Sequence, residues 1–191
     1  TMVIVPSCPD EAEEFMYQAI KRFETDRAGG EDGESYIFFV GRENYPLSWV
    51  DNPVYEWGKA QVLQEGEDVV LVGSGVLLNR AIEAGKRLGA AGVKATVINN
   101  PFINRVDVDT IGSAVQAAGG RLVAIEDHQV IGGMSGQLSH ALSDAGIAHR
   151  IKTLGIDREF GQSAYKADQL YEKNGLSAEG VVAAAQELLA I

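Results

Sequence analysis

Arg42 is the residue whose type and position point most directly to chemistry, because it follows the apolar, strand-like run Ser35–Gly41. A guanidinium presents its donors in a fixed fork that matches a phosphate group, and it stays charged at physiological pH. In α/β proteins, ligands bind at the carboxyl ends of strands. The position predicts a phosphate-binding arginine, although an arginine after a strand is also commonly a solvated surface residue.

A second group of chemically useful residues is Glu126-Asp127-His128, which is followed by Gly132-Gly133 and a predicted helix. Backbone amides at a helix N-terminus can receive an anion, and histidine is a common general acid or base. Loop histidines are also often structural, and glycines there can equally serve close packing. The sequence leaves anion binding, catalysis and a structural role open.

Other motifs are weaker. The segment Gly73–Gly75 lies where a dinucleotide fingerprint would begin, but Leu78 replaces the third glycine, and Asn99-Asn100 stands where an acidic residue would bind a ribose. A tight strand-to-helix turn is therefore favoured over a nicotinamide or flavin site. His140 and His149 show no metal-ligand spacing, so a metal site is not expected.

The elements that must position these residues fall into two parts. Residues 1–42 contain one β-α-β unit, with strands over Met2–Pro6 and Tyr36–Val40 and a helix capped by Asp10. The apolar residues of this helix recur at helical spacing: Ala12, Phe15, Met16, Ala19, Ile20 and Phe23. Two parallel strands bury too little to be stable alone, so we expect this unit to be the end of a larger sheet. Residues 43–58, rich in proline, asparagine and aromatics, are predicted to be an ordered linker.

The second part begins near Gly58 and alternates strands with amphipathic helices. This pattern predicts a three-layer α/β domain with a mostly parallel sheet covered on both faces. A short helix at its end closes at Asn174-Gly175, and Ser177 caps a last helix that directs Val181, Val182, Ala185, Leu188 and Leu189 inward. The predicted strands are Asp68–Val72, Val93–Ile98, Arg121–Glu126 and Ile147–Ile151, and the predicted helices are Leu77–Leu88, Val108–Ala118, Met134–Ala145 and Tyr165–Glu172.

Composition narrows the possible partners. The chain has 191 residues and a net charge of −11, from 27 acidic and 16 basic residues. This balance opposes attachment to nucleic acid or anionic membranes as the main role, so any phosphate must be bound locally. The single cysteine, Cys8, fits a reducing compartment. The apolar runs are far shorter than the ~20 residues of a membrane span, and since we expect no leader, we expect a soluble, cytoplasmic protein.

Four segments, taken in order, resemble the carboxyl-terminal part of transketolase, a member of the thiamine-diphosphate enzyme superfamily. They are Met2–Ser7, Phe39–Asn44, Glu126–Gly133 and Phe160–Ser163. The resemblance spans nearly the whole chain. Within the superfamily, the Arg-x-Asn-x-Pro stretch and the Phe-Gly-Gln-Ser segment favour transketolase over its relatives.

This resemblance implies a specific organisation. Residues 1–42 would be the last part of the pyrimidine-binding domain, 43–58 the linker, and 59–191 the transketolase C-terminal domain with a five-stranded, mostly parallel sheet. Arg42 would be the family's arginine that binds the sugar-phosphate substrate. The C-terminal domain would mainly stabilise a homodimer, and no catalytic, cofactor-binding or metal-binding residue is assigned in this chain.

The resemblance also implies the activity of the whole enzyme, a transferase of the pentose phosphate pathway. It would use thiamine diphosphate and Mg²⁺ to move a two-carbon ketol unit from a ketose phosphate to an aldose phosphate. The family's cofactor-binding motifs lie upstream of this region, so we expect these 191 residues alone to be inactive and to bind neither cofactor. The alternatives are a subunit of a related enzyme (a 2-oxoacid dehydrogenase beta chain or deoxyxylulose-phosphate synthase) and a stand-alone interaction domain.

Overall fold

Two β-sheets form the framework of the structure, a computed structural model that describes residues 1–43 and 45–190. The strands are β1 (Met2–Ile4), β2 (Tyr36–Phe38), β3 (Gln61–Gln64), β4 (Val69–Gly73), β5 (Ala95–Asn99), β6 (Arg121–Gln129) and β7 (Arg150–Ile156). The helices are α1 (Pro9–Ala28), α2 (Leu78–Ala90), α3 (Val108–Ala117), α4 (Met134–Asp144), α5 (Ala167–Lys173) and α6 (Ala178–Leu189). A short 3₁₀ turn, Gly75–Leu77, joins β4 to α2.

The larger sheet has the strand order β3-β5-β4-β6-β7, in which only β3 is antiparallel to its neighbour. Strands β4 and β5 are buried over their whole length because helices cover both faces of the sheet. Helices α2 and α6 pack on one face, and α3 and α4 pack on the other. This confirms the predicted three-layer fold with a five-stranded, mostly parallel sheet.

The smaller sheet contains β1 and β2 in parallel, with Met2 opposite Tyr36. The chain that follows β5 joins it to the larger sheet, since Pro101 accepts a hydrogen bond from the Val5 amide and Ile103 donates to Val3. These backbone hydrogen bonds therefore place the carboxyl ends of the parallel strands of both sheets side by side.

Aromatic side chains fill the junction between the two sheets. Phe102, which follows β5, packs edge-to-face on Phe15 of α1 with 4.9 Å between ring centroids and on Trp57 with 5.3 Å. Tyr55 and Tyr36 extend this cluster. The residue 43–58 segment thus contributes packing as well as a connection, while its boundaries as a linker remain a prediction.

The structure corrects the predicted helix start at Asp10. Helix α1 begins at Pro9, and its N-cap is Cys8, which makes no side-chain capping bond. Proline fits the first helical position because its fixed φ suits the helix and its missing amide hydrogen would have no partner there. Asp10 lies instead in the first turn, where its charge complements the helix dipole.

Helix α1 also departs from its predicted apolar face. Phe15 and Ala19 are buried, whereas Met16, Ile20 and Phe23 are exposed although they follow the same helical spacing. The described residues cover only part of this face. The spacing predicted the helix correctly, but it did not predict how much of the apolar face is buried.

Two strands also differ from the sequence predictions. Strand β3 was not predicted, because the glutamines at both of its ends give no continuous apolar run. The last strand is Arg150–Ile156, displaced from the predicted Ile147–Ile151, since Ile147 packs into the core ahead of the strand. The Ser177 cap of α6 is confirmed: its side chain accepts a hydrogen bond from the Gly180 amide.

Candidate functional site

A cleft of about 540 Å³ lies between the two sheets. It lies where the carboxyl ends of β1, β2, β4, β5 and β6 meet, the edge at which open α/β sheets bind ligands. It is lined by Val3, Val5, Pro6, Phe39, Val40, Gly41, Glu43, Tyr45, Ser74, Gly75, Val76, Ile103, Asn104, Glu126, Asp127, His128, Gly132, Gly133, Met134, Gln137 and Tyr171. The lining thus includes Glu126–His128 and the two neighbours of Arg42, Gly41 and Glu43, but not Arg42 itself.

Glu126 occupies the N-terminus of α4. Its buried carboxylate accepts hydrogen bonds from the amides of Met134 and Ser135 and, at 2.6 Å, from the Ser135 hydroxyl. Gly133 leaves room for this contact, since a Cβ there would lie 2.1 Å from a Glu126 oxygen. Gly133 and Glu126 act together, and the amides of Met134 and Ser135 are bonded to Glu126 rather than open to an external anion.

An irregularity in β6 separates the three side chains of the Glu126–His128 motif. Ile125 pairs with Leu154 and Gln129 with Ile156, so three residues of β6 face the single residue Gly155. Bulges of this kind redirect side chains next to functional sites. A Cβ at Gly155 would lie 2.9 Å from the His128 carbonyl oxygen, so the close approach requires glycine.

Asp127 lies beside a tyrosine that the sequence analysis did not single out. The Tyr171 hydroxyl of α5 donates to Asp127 at 2.8 Å, across 44 positions of sequence. Burial, reinforced by Asp127, raises the pKa of Tyr171, which therefore stays a neutral donor. His128 also lines the cleft, and its Nδ1 lies 2.9 Å from the Gln129 carbonyl oxygen.

A second phenol–carboxylate pair lies on the opposite wall, contributed by the segment after β2. The Tyr45 hydroxyl donates to Glu43 at 3.4 Å. Burial raises the pKa of Tyr45 to about 12, and the charges of Glu43 and Asp127 add to the effect. The two pairs are thus close enough for each carboxylate to act on both phenols, because Glu43 also raises the pKa of Tyr171.

Arg42 lies between two cleft-lining residues but is not itself in the lining described above. Strand β2 ends at Phe38, so Arg42 follows it by four residues, and the arginine is exposed. Among residues 1–43 and 45–190, no carboxylate lies within ion-pair distance of its guanidinium. Its role in phosphate binding stays a prediction. Asn44, the neighbouring residue of the same motif, lies outside the described residues.

A buried polar cluster fastens α1 to the larger sheet. The Glu11 carboxylate accepts hydrogen bonds from the Ser7 amide at 2.6 Å, the Ser7 hydroxyl at 2.8 Å and the Asn99 amide group at 2.7 Å. Trp49 donates to the same Ser7 hydroxyl at 3.1 Å. Burial raises the pKa of Glu11 despite these bonds. A glutamate in the first turn of a helix is ordinarily exposed, so no sequence pattern indicated this role.

The remaining candidate motifs have structural settings. Gly75 adopts a left-handed φ of 53° and lies against Val5, which fits the tight turn favoured over a dinucleotide site. The segment 160–163 borders a smaller cavity of about 300 Å³ beside α5, and Phe160 is 96% exposed. Across the described part of the chain, no group of three His, Cys, Asp or Glu residues is placed to hold a metal ion.

Comparison with known proteins identifies the family to which this chain belongs. A family model described as "Transketolase, C-terminal domain" matches residues 58–181. The chain belongs to the transketolase C-terminal domain family. The resemblance seen in the sequence is thereby confirmed.

Individual relatives come from two kinds of protein. Over 132 residues the chain is 36% identical to a 1-deoxy-D-xylulose-5-phosphate synthase of Desulfitobacterium hafniense, a match that covers 69% of this chain and 20% of the synthase. Over 131 residues it is 29% identical to a putative transketolase C-terminal section of Methanocaldococcus jannaschii, covering 69% of this chain and 40% of that protein. The chain therefore spans well under half the length of these relatives.

A solved structure of a split-gene transketolase, an inactive beta4 tetramer, matches 99% of this chain and 57% of its own chain, with a TM-score of 0.76 and 30% identity. A transketolase from Pichia stipitis matches 99% of this chain with a TM-score of 0.68 at 20% identity, which bears on the fold alone. Both sheets of the present structure take part in these matches, since almost every residue is covered.

The family implies thiamine diphosphate, and the cleft does not suit it. A diphosphate requires cations or unoccupied backbone amides, whereas the cleft offers the carboxylates of Glu43 and Asp127, and Glu126 occupies the amides of α4. Among the described residues no lysine or arginine lines the cleft. These residues therefore do not form the diphosphate site.

Proposed function

We propose that this chain is the C-terminal part of a transketolase, which transfers a two-carbon ketol unit from a ketose phosphate to an aldose phosphate in the pentose phosphate pathway. The main support is the match over 99% of the chain to the split-gene transketolase at 30% identity. In the complete enzyme, thiamine diphosphate and Mg²⁺ supply the chemistry of the ketol group. This chain contributes substrate binding and assembly rather than the cofactor site.

Arg42 is the residue that we propose for substrate phosphate. It is exposed, lies past the carboxyl end of β2, and is held between two residues of the cleft wall, Gly41 and Glu43. A guanidinium placed there can hold a phosphate through two parallel bonds, each worth about 1.5–3 kcal/mol. Holding the phosphate orients the reacting end of the sugar.

The partners that we propose are the remaining transketolase domains and a second subunit in a homodimer. The support is that apolar side chains are left exposed in two places among the described residues. They are Met16, Tyr17, Ile20 and Phe23 on α1 and Ile37, Phe39 and Val40 around β2. Uncovered apolar area of this kind marks an interaction surface. Because Cys8, the single cysteine, is a free buried thiol, we also propose a reducing, cytoplasmic setting.

A second candidate is the reaction of a 1-deoxy-D-xylulose-5-phosphate synthase. The observation that favours it is the 36% identity over 132 residues to the synthase from Desulfitobacterium hafniense, which exceeds the identity to the transketolase section. That similarity covers 69% of this chain. Both candidates act on phosphorylated sugars, so both give Arg42 the same role.

The experiment that separates the candidates uses the enzyme reconstituted from this chain and the domains that complete it. Ketol transfer between sugar phosphates and formation of 1-deoxy-D-xylulose 5-phosphate are measured on the same preparation. We expect ketol transfer to have the larger kcat/KM. The opposite ratio would support the synthase, and the absence of both activities in a properly assembled enzyme would favour an interaction domain.

A further inference from the structure

The cleft between the sheets has an apolar floor. Val3, Val5, Val76, Ile103 and Met134 come from four different segments and line it. Its volume of about 540 Å³ lies within the range of small-molecule sites, which combine apolar walls with a few placed polar groups. The floor suits a ligand with a hydrocarbon body.

The polar groups of the cleft include two tyrosine–carboxylate pairs. Tyr171 donates to Asp127 at 2.8 Å, and Tyr45 donates to Glu43 at 3.4 Å. An ionised carboxylate has acceptor capacity beyond one such bond. Each pair can therefore receive a further donor from a ligand while the phenol stays in place.

The charges lining the cleft are mainly negative. The Glu126 carboxylate is bonded to the amides of Met134 and Ser135, so Glu43 and Asp127 are the carboxylates left to face a ligand. Among the described lining residues there is no lysine or arginine, and the other titratable side chain is His128 at the rim. A cation between the two carboxylates gains attraction from both, and it lies beside two phenol rings, whose faces attract cations.

We propose that this cleft binds a small organic cation, an amine with an apolar body. The ammonium group lies between Glu43 and Asp127 against the rings of Tyr45 and Tyr171, and the hydrocarbon part rests on the apolar floor. Charge complementarity selects this occupant over an anion, which two carboxylates would repel. The site goes beyond the proposed function, because sugar phosphates are anions and Arg42 is not part of the cleft lining.

The test compares three probes that share one hydrocarbon chain: hexylammonium, hexan-1-ol and hexanoate. Binding to the full 191-residue chain is followed by calorimetry and by NMR shifts of the cleft residues at pH 7.5. We expect saturable binding of hexylammonium, about tenfold weaker binding of hexan-1-ol, and no saturation by hexanoate. Because no turnover is measured, the result is independent of the proposed transketolase activity.

The decisive variant is Glu43→Gln combined with Asp127→Asn. Both amides keep an oxygen that accepts from Tyr45 and Tyr171, so the cleft retains its hydrogen bonds and loses only its charge. We expect hexylammonium binding to weaken by about tenfold and to approach that of hexan-1-ol. Glu24→Gln, on the exposed surface of α1, is the control for a change in net charge and should leave binding unchanged.

Three outcomes would overturn the proposal. Hexan-1-ol or hexanoate could bind as tightly as hexylammonium, which would remove the role of charge. The double variant could bind hexylammonium as tightly as the parent chain, which would place the ammonium elsewhere. The third outcome is that none of the three probes shows saturable binding, which would mean that the cleft binds no such ligand.

Discussion

Replacing Glu11 tests how the two sheets are fastened together. Glu11→Ala removes one carboxylate and leaves three buried donors without their acceptor: the Ser7 amide, the Ser7 hydroxyl and the Asn99 amide group. A buried donor left unpaired costs about 1–3 kcal/mol, and the hydroxyl can rotate toward another acceptor. We expect the free energy of unfolding to fall by about 3 kcal/mol, or roughly 6–12 °C in Tm for a chain of this size.

Glu11→Gln separates the hydrogen bonds from the charge. The glutamine oxygen can accept from both Ser7 donors. Its amide group can donate to Asn99 once the Asn99 amide has turned, because Asn99 Oδ1 is a buried acceptor with no partner among the described residues. We expect a loss of about 1 kcal/mol or less at neutral pH. Glu13→Ala, an exposed change on the same helix, is the control and should cost little.

The pH dependence carries the sharper test. Because the folded-state pKa of Glu11 is raised above its ordinary value of 4.5, the folded protein binds this proton more tightly than the unfolded chain. Its contribution to stability is complete below the unfolded pKa and is lost as pH rises through the raised value. Urea unfolding from pH 4 to pH 8 should show the parent losing stability relative to Glu11→Gln as pH rises. If the parent protein instead gained stability relative to Glu11→Gln over this pH range, the burial argument would be refuted.

Two further changes test local features of the fold. Gly133→Ala should lower the free energy of unfolding by about 1–3 kcal/mol, because the added Cβ would displace Glu126 from the start of α4. Gly136→Ala is the control, since a Cβ at Gly136 meets open space and the change should be neutral or stabilising. Equal effects of the two changes in urea unfolding would contradict this. Asp107 is the N-cap of α3, and its side chain accepts a hydrogen bond from the Thr110 amide. Burial alone would raise the Asp107 pKa, but the bonds from Thr110 and other donors outweigh burial and lower it. Asp107→Asn should therefore cost about 1 kcal/mol at neutral pH. The cost should shrink as pH falls below 3.8 through the lowered pKa, and a cost that grows instead would show that the carboxylate is not stabilised.

The sequence predicted the layers of the larger domain because its strands are continuous apolar runs between amphipathic helices. It failed where burial depends on distant parts of the chain. Met16, Ile20 and Phe23 repeat at the spacing of a buried face, yet they are exposed in the described structure. Strand β3 is paired on one side only, and its sequence lacks the pattern of a buried strand.

The site was predictable in part. Glu126, Asp127 and His128 were found because reactive residue types cluster after a strand. Their different roles depend on contacts across the fold, which the sequence does not show: Glu126 bonds the start of α4, and Asp127 bonds Tyr171. A tyrosine at helical spacing indicates core packing, so nothing in the sequence distinguished Tyr171 as a partner of Asp127.

We propose that this chain supplies phosphate recognition through Arg42 to an enzyme whose cofactor is bound by other domains. The most direct measurement is kcat/KM of the assembled enzyme for a phosphorylated sugar and for its unphosphorylated counterpart, with Arg42→Ala beside Arg27→Ala, an exposed arginine of α1. Loss of about 3 kcal/mol of phosphate binding predicts a fall of roughly a hundredfold for the phosphorylated sugar, little change for the unphosphorylated one, and no effect of Arg27→Ala. Equal losses for both sugars in Arg42→Ala would contradict the account.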